Sequence, residues 1–564
     1  MVLQQSPAQP KDKLPSTRAA QVSRELEKAS QGRASAVETD GEGIRVEAKL
    51  ASSSSDSSAG AEFLPQGTLL LECDAMSIAL DPSLWATRCG ICAHDIEPSR
   101  ASIVCSTCQI VAVCDDCRRE ESTAVRHARE CKALQVFLSL LQRTSNSPED
   151  ADADTISSFL PMDLTSHLLT IRLLCSIDGN DKAHNWWERF LCLYASPISD
   201  DETYNADLIV AGMKTRLESS DEEKDPCSGG SKAIYDDSKY QSVLSRVLGC
   251  SHAVTDLSLP LGSQCLGRAL FWHHSFYNHA CTPNAFLSCC IPSTVMRKHT
   301  TDRATDTVTA RVHLIRDVPP GKPITISYIP MSGISRQERQ GRLQTSYGFI
   351  CHCEECSSLT PFIQLPKNAD VDAVREVQYS CNARLLSVQE ERTEPNHETK
   401  TSHDDDNASA LTDEIESVLS LVRMTQRGIH NQGIPPCHEV SLEAHRLLAM
   451  GLSRLGQYKE AIQHHQEFFK QAVASLMDPV AMATQHLALA RDMGATNTFP
   501  RQDVEREWDT AMKALTTVIG ASHRWVQALS QNRMTNSGKI GPPVSVKRRR
   551  LDDEAKGVAS SGVE

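Results

Sequence analysis

Apolar residues follow two different periods along this chain. From about residue 411 to the 520s they recur at helical spacing, with a helix pair over 443–455 and 458–475 separated by Gly456. Residues 155–195 and 236–250 carry the same period, as in Leu168, Leu169, Ile171, Leu173 and Leu174. Elsewhere the pattern shortens to two. Residues 36–49 and 62–80 read as short strands, and Gly67-Thr68-Leu69-Leu70-Leu71-Glu72 is the clearest of them. The runs 308–314 and 324–328 alternate as well, around the turn peptide Asp317-Val318-Pro319-Pro320-Gly321. The expected class is α+β, with a strand-bearing middle and a helical C-terminal third.

Several stretches are too polar to pack a core: the first thirty or so residues, the serine run 52–58, the acidic runs 149–154 and 221–225, residues 390–410, and the tail from about 530. With 564 residues, 40% hydrophobic and 23% charged, the chain has room for several domains of ordinary soluble composition. Its net charge of −14 argues against holding nucleic acid through the general field and would attract basic protein segments. No apolar run approaches a membrane span, and no signal-peptide core follows Met1.

Cysteine spacing changes the picture most. Cys89, Cys92, Cys105, Cys108, Cys114, Cys117, His127 and Cys131 form three C-x2-C pairs and an H-x3-C, enough ligands for two tetrahedral Zn²⁺ sites. Cys351, Cys353 and Cys356 offer three more thiolates, and Cys281 is the candidate fourth. A disulfide framework would need an oxidising compartment, which the lack of a signal segment disfavours. Three zinc ions are therefore expected. Cysteines outside these groups, such as Cys175, Cys192 and Cys265, lie among apolar residues and read as reduced core thiols.

Residues 85–137 resemble the MYND zinc finger. The resemblance implies cross-braced ligands, with Cys89, Cys92, Cys114 and Cys117 on one zinc and Cys105, Cys108, His127 and Cys131 on the other. The family usually has three residues between the fifth and sixth cysteines, where this chain has two. Asn278-His279-Ala280-Cys281-Thr282-Pro283-Asn284, followed by Ile324-Thr325-Ile326-Ser327-Tyr328, resembles the SET methyltransferase domain. From about residue 36 to 520 the chain is similar to the SET and MYND domain (SMYD) family of protein-lysine methyltransferases. Ala280 stands where the family usually has serine. In Leu248-Gly249-Cys250-Ser251-His252, Cys250 replaces a cofactor-contacting asparagine and His252 an aromatic of the lysine channel.

The resemblance implies S-adenosyl-L-methionine as cofactor. Tyr328 would be the catalytic hydroxyl. Gly41, Glu42, Gly43, Ser275, Asn278, His279, Tyr328 and Phe349 would contact the cofactor, and Tyr347 and His252 would line the substrate channel. Cys281, Cys351, Cys353 and Cys356 would bind the third zinc. The peptide Leu455-Gly456-Gln457-Tyr458-Lys459-Glu460-Ala461-Ile462 looks like a tetratricopeptide turn, against the alternative of an ordinary helical bundle.

These readings divide the chain into a disordered N-terminus (1–35), the first part of a SET domain (36–84), the finger (85–137) and a helical insert with acidic linkers (138–257). The SET catalytic core (258–330), a post-SET zinc segment (331–360), a helical tetratricopeptide-like domain (370–525) and a basic-then-acidic tail (526–564) follow. The expected function is methyl transfer from S-adenosylmethionine to a lysine of a histone or other protein. The alternative is a scaffold that recruits partners through finger and helices around a weak or silent pocket. Proline-rich or peptide partners at the finger or helical lobe, no membrane and a monomer are expected. Lys547-Arg548-Arg549-Arg550 suits nuclear import, so nucleus and cytoplasm are the expected locations.

Overall fold

The computed structural model describes residues 16–39, 43–49, 63–96, 104–143, 163–177, 183–218, 236–259, 264–291, 307–330, 333–358, 363–393, 403–472, 477–496 and 498–535. The serine run, the acidic runs 149–154 and 221–225, and the basic tail lie outside these residues, as do Gly41 and Glu42.

The chain starts with helix α1 (Ser16–Ala29) and a hairpin of β1 (Ala34–Thr39) and β2 (Gly43–Ala48). The first thirty residues were expected to lack structure. Instead Val22 and Leu26, one helical turn apart, bury completely in the main core, and α1 packs against β1. Strands β3 (Leu69–Asp74) and β4 (Ser77–Leu80) precede the cysteine-rich segment, which contributes α2 (Asp115–Arg119) and α3 (Glu121–Arg143). Next come α4 (Leu164–Ile177), α5 (Ala183–Leu191), α6 (Asp200–Glu218) and α7 (Asp237–Cys250). Helix α4 is apolar on nearly every side and runs through the core, with His167 satisfied by the Tyr240 hydroxyl (3.0 Å) and Glu202 (2.7 Å). On α5, Trp187 stacks on Phe190 and packs into the core, as a structural tryptophan does.

Six strands follow: β5 (Ser251–Thr255), β6 (Cys265–Leu270), β7 (Asn278–His279), β8 (Ala285–Cys290), β9 (Thr309–Leu314) and β10 (Thr325–Ile326). They complete small sheets, antiparallel β3-β9-β8 and β4-β6-β5 and the parallel pair β10-β7. The alternating run 324–328 is therefore shorter as a strand than its pattern predicts. Beyond Ile326 the backbone leaves the sheet because its groups bond elsewhere: Tyr328 N–H donates to His279 Nδ1, and Ser327 Oγ donates to the Ile329 carbonyl.

Helices α8 (Arg336–Tyr347) and α9 (Glu354–Ser357) lead into α10 (Val371–Thr393), α11 (His403–Asn431), α12 (Glu439–Arg454), α13 (Tyr458–Ala472), α14 (Pro479–Thr496), α15 (Arg501–Ile519) and α16 (Arg524–Thr535). Residues 390–410 were expected to lack structure, yet α10 and α11 both reach into that stretch. The apolar stripe of Ile415, Val418, Leu419 and Val422 extends backward through Leu411 and carries the helix with it. Residues 530–535, expected to belong to the tail, are helical for the same reason, since α16 continues to Thr535 behind Val526 and Leu529. No described helix is long and apolar enough to cross a membrane.

Among the described residues, the C-terminal helices meet the rest of the molecule near α8 and near β8 and β9. Near α8, Glu338 accepts from His438 Nε2 (3.0 Å) and pairs with Arg375, while Arg342 reaches Glu439 (3.0 Å). At the other end, α15 lies against β8 and β9, and buried Asp256 pairs with Arg524 of α16 and with Arg88 (3.6 Å) beside Cys89.

Candidate active site and metal centres

Twelve side chains converge into three groups: Cys89, Cys92, Cys114 and Cys117; Cys105, Cys108, His127 and Cys131; and Cys281, Cys351, Cys353 and Cys356. Within each group the donor atoms all lie within 4.8 Å of one another. Representative separations are 3.8 Å for Cys92–Cys114, 3.6 Å for Cys105–Cys131 and 3.4 Å for Cys281–Cys356. A disulfide would need about 2.05 Å, whereas four thiolates about 2.3 Å from a tetrahedral zinc stand close to 3.8 Å apart. The donor sets fit zinc.

Neighbouring groups suit the same ion. His127 points Nε2 at Cys108 (3.8 Å) and Nδ1 at Glu130 (3.5 Å), the arrangement that fixes the tautomer of a metal-binding histidine. Glu130 is itself held by both arms of Arg172 at 3.0 Å. Burial raises its pKa, but the Arg172 charge and the His127 bond outweigh burial and bring it down to about 2. Arg172 also donates to the carbonyls of Ile78 and Gly90, both at 2.7 Å, so one guanidinium ties α4, strand β4 and the finger together. At the third cluster the buried Arg339 guanidinium raises no charge conflict, since it stands against the thiolates of Cys281 and Cys356.

Cys281 follows β7, and the other three cysteines of its cluster follow α8. Between them sits a group of rings. His279 lies 5.4 Å from Tyr328 and 6.1 Å from Phe349; Tyr328 lies 5.0 Å from Tyr347 and 6.2 Å from Phe349. The Tyr347 hydroxyl donates to the Tyr328 carbonyl (3.1 Å), and the Tyr328 hydroxyl donates to the Tyr277 carbonyl (2.6 Å). Burial holds the Tyr328 phenol well above its ordinary pKa, so it stays protonated. Burial likewise lowers the His279 pKa to about 4. The neutral ring takes the Tyr328 N–H on Nδ1 at 3.0 Å, which leaves Nε2–H facing Cys281 Sγ at 3.4 Å. His279 thus joins the ring group to the thiolates.

The other expected contacts are distributed unevenly. Gly43 opens β2, and Asn278 stands half-buried on β7 opposite Thr325. Ser275 spends its hydroxyl on the Phe271 carbonyl (2.9 Å) and faces the Cys250 carbonyl at 3.4 Å. Cys250 is a buried thiol, its pKa pushed up to about 12 by burial, and it bonds the Tyr194 carbonyl. His252 differs from the rest: its ring contact is with Phe271 at 6.3 Å rather than with the Tyr328 group, and its buried Nε2 has no hydrogen-bond partner among the described residues. Asn284 is a structural stitch, donating to the Pro323 carbonyl (2.9 Å) and accepting from Thr325 N–H (2.8 Å).

Sequence reasoning passed over Glu130, Arg172 and Gln340. Glu130 carried a signal, since it sits three residues beyond His127 on one helix face. Arg172 carried none, being a single polar residue in an apolar helical segment, and Gln340 carried none because it stands in a polar run, Arg336-Gln337-Glu338-Arg339-Gln340, that does not single it out.

No family model matches the chain. Similar proteins exist over shorter stretches. Histone-lysine N-methyltransferase ATXR4 of Arabidopsis thaliana is 34% identical over 97 residues, 17% of this chain and 25% of that protein. Histone-lysine N-methyltransferase ASHR2, also of Arabidopsis thaliana, is 37% identical over 82 residues, 14% of this chain and 18% of its own length. N-lysine methyltransferase SMYD2 of Homo sapiens is 31% identical over 93 residues, 16% of this chain and 18% of the relative. Over these stretches the chain is similar to SET/SMYD lysine methyltransferases. It spans a quarter or less of the length of these SET/SMYD relatives.

Proposed function

We propose that the chain is an S-adenosylmethionine-dependent protein-lysine N-methyltransferase with a SET-type core, a MYND-type finger and three zinc ions. The observation that carries the reading is the ring group of His279, Tyr328, Tyr347 and Phe349, built on the β7–β10 pair and tied to a four-cysteine cluster. When bound, the cofactor supplies an electrophilic methyl group on a sulfonium. Ring faces attract such a cation and equally a methylated ammonium. The fixed, protonated Tyr328 hydroxyl offers its oxygen to orient an incoming amine, and the buried surroundings favour that amine in its neutral, desolvated form. Asn278 and Phe349 are proposed cofactor contacts, on the family resemblance. A lysine-bearing protein is the proposed substrate, and the tail sequence supports nuclear import.

Calorimetry of the purified full chain with S-adenosylmethionine tests this directly. Tyr328→Phe should keep cofactor affinity and lower turnover on the order of 100-fold, as expected for loss of one positioned catalytic group. A chain that binds no cofactor is instead the partner-recruiting scaffold. Full turnover in Tyr328→Phe would remove the role given to the hydroxyl.

A further inference from the structure

The thiolate cluster is not the only thing that holds the aromatic wall. Helix α8 ends at Gly348 in the left-handed conformation (φ 74°), with its N–H on the Gln344 carbonyl at 3.1 Å. That turn sends Phe349, Ile350 and Cys351 back beside the helix. There Gln340 grips the backbone of Cys351 from both sides: the Cys351 N–H donates to Oε1 at 2.8 Å, and Nε2 donates to the Cys351 carbonyl at 2.6 Å. Cys351 is 5% exposed, which leaves these two groups little access to water. The uncharged amide of Gln340 both accepts and donates here, whereas a carboxylate only accepts and an aliphatic side chain does neither.

The helix that carries Gln340 is itself fixed. Ser335 and Glu338 form a reciprocal capping box at its start, and Glu338 also meets His438 and Arg375 of the C-terminal helices. Arg339 donates to the Ile334 carbonyl at 2.7 Å. Gln340 therefore projects from a fixed element onto a segment whose rings reach Tyr328.

We propose that Gln340 is a positioning residue for methyl transfer, and that its two-way bond to Cys351 keeps Tyr347 and Phe349 against Tyr328 alongside, and independently of, the metal cluster. The proposal rests on the methyltransferase reading. Gln340 acts through the backbone of Cys351 and is not a catalytic residue.

The test compares full-length Gln340→Ala and Gln340→Glu with the unaltered chain by zinc content, S-adenosylmethionine calorimetry, kcat and KM on a library of peptides with one fixed lysine, and hydrogen exchange without cofactor. Both variants should retain three zinc ions. Gln340→Ala should speed exchange at 347–351 selectively and weaken cofactor affinity about tenfold, the loss expected for two buried backbone bonds. Gln340→Glu keeps the acceptor alone, so it should fall between the two and supply the comparison if the alanine variant folds poorly. Unchanged exchange and affinity with zinc retained would overturn the proposal, and so would loss of zinc in step with affinity, because Gln340 would then act only through the metal site. If the unaltered chain binds no cofactor, the methyltransferase reading falls and takes the catalytic part of the proposal with it. The exchange data would still judge the clamp.

Discussion

The strand-bearing region and the C-terminal helices solve the same folding problem with different means. In the first, partners come from far apart in the chain: Asp74 lies opposite Thr309, Ser77 opposite Leu270, and Cys281 joins Cys351, Cys353 and Cys356. In the second, neighbours in sequence pack together, α12 on α13 and α14 on α15. Distant pairing costs loop-closure entropy before any contact forms, and here it builds only small sheets of two or three strands. All three candidate metal clusters of the described residues lie in the first region. Among the described residues, the candidate metal clusters occur where topology is expensive.

Chelation should therefore divide the molecule, and this is the largest effect expected. Zinc removal should abolish cofactor binding and expose the finger, β7, β8 and β10 to rapid hydrogen exchange, because structural zinc contributes folding free energy outright. Helices α12 and α13 should keep their protection. If they exchange in step with the finger, the contrast between the two regions is wrong.

The next test breaks the strand-bearing region without touching a ligand. Arg172 and Glu130 are 3% and 2% exposed and face each other. Removing one member of a buried pair strands the other, so Arg172→Ala should cost about 3–5 kcal/mol. The loss should register in thermal melts and as faster exchange across the finger. A melt within a degree of the unaltered protein would show that the finger is held by something else.

These two regions also differed in how far the sequence disclosed them. The helices α12 and α13 followed from period and from Gly456, and the metal clusters from cysteine spacing, because both signals are local. Strand partners are not local. Nothing in the run Leu69-Leu70-Leu71 names His313 and Val312 as its neighbours, and α1 looked too polar to fold because its two buried residues gain their value only against β1. At the candidate site, Tyr328 and His279 came from motif resemblance and Cys351, Cys353 and Cys356 from their spacing, whereas Arg172 and Gln340 act through backbone carbonyls and amides that no side-chain pattern records. Gly41 and Glu42 lie outside the described residues.

Acid should attack the seam between the regions. His313 on β9 and His523 before α16 are both buried there; His523 Nε2 faces the Cys289 carbonyl at 3.4 Å, and Arg311, Arg524, Glu72 and Asp256 surround the pair. Burial, aided by the arginines, lowers both pKa values to about 4, against about 6.5 for an exposed histidine. The unfolded chain then binds more protons between those limits, so this stability is present above pH 6.5 and is lost as pH falls toward 4. Melting temperature should drop over that window, with α15 and α16 gaining exchange first. His523→Gln should flatten the dependence. A slope identical to that of the unaltered chain would clear the seam of responsibility.

The smallest effect gives the sharpest comparison. Gly348 and Gly456 each lie just beyond a helix end, at φ 74° and 75°. A Cβ at Gly456 would meet nothing within 4 Å, and one at Gly348 would make only ordinary contact with Pro197. Alanine should thus cost the same at both positions, about 1–2 kcal/mol for placing an L-residue in the left-handed region. Their surroundings differ, since Gly456 turns α12 into α13 while Gly348 turns α8 into the segment bearing Phe349. Relief of the backbone strain at Gly348 would shift that ring, whereas the same relief at Gly456 shifts only a helix pair. Matched losses in denaturant titration, with weakened cofactor affinity in Gly348→Ala alone, would separate the cost of the turn from the placement of the wall. Equal affinities in the two variants would mean that the wall does not depend on its turn.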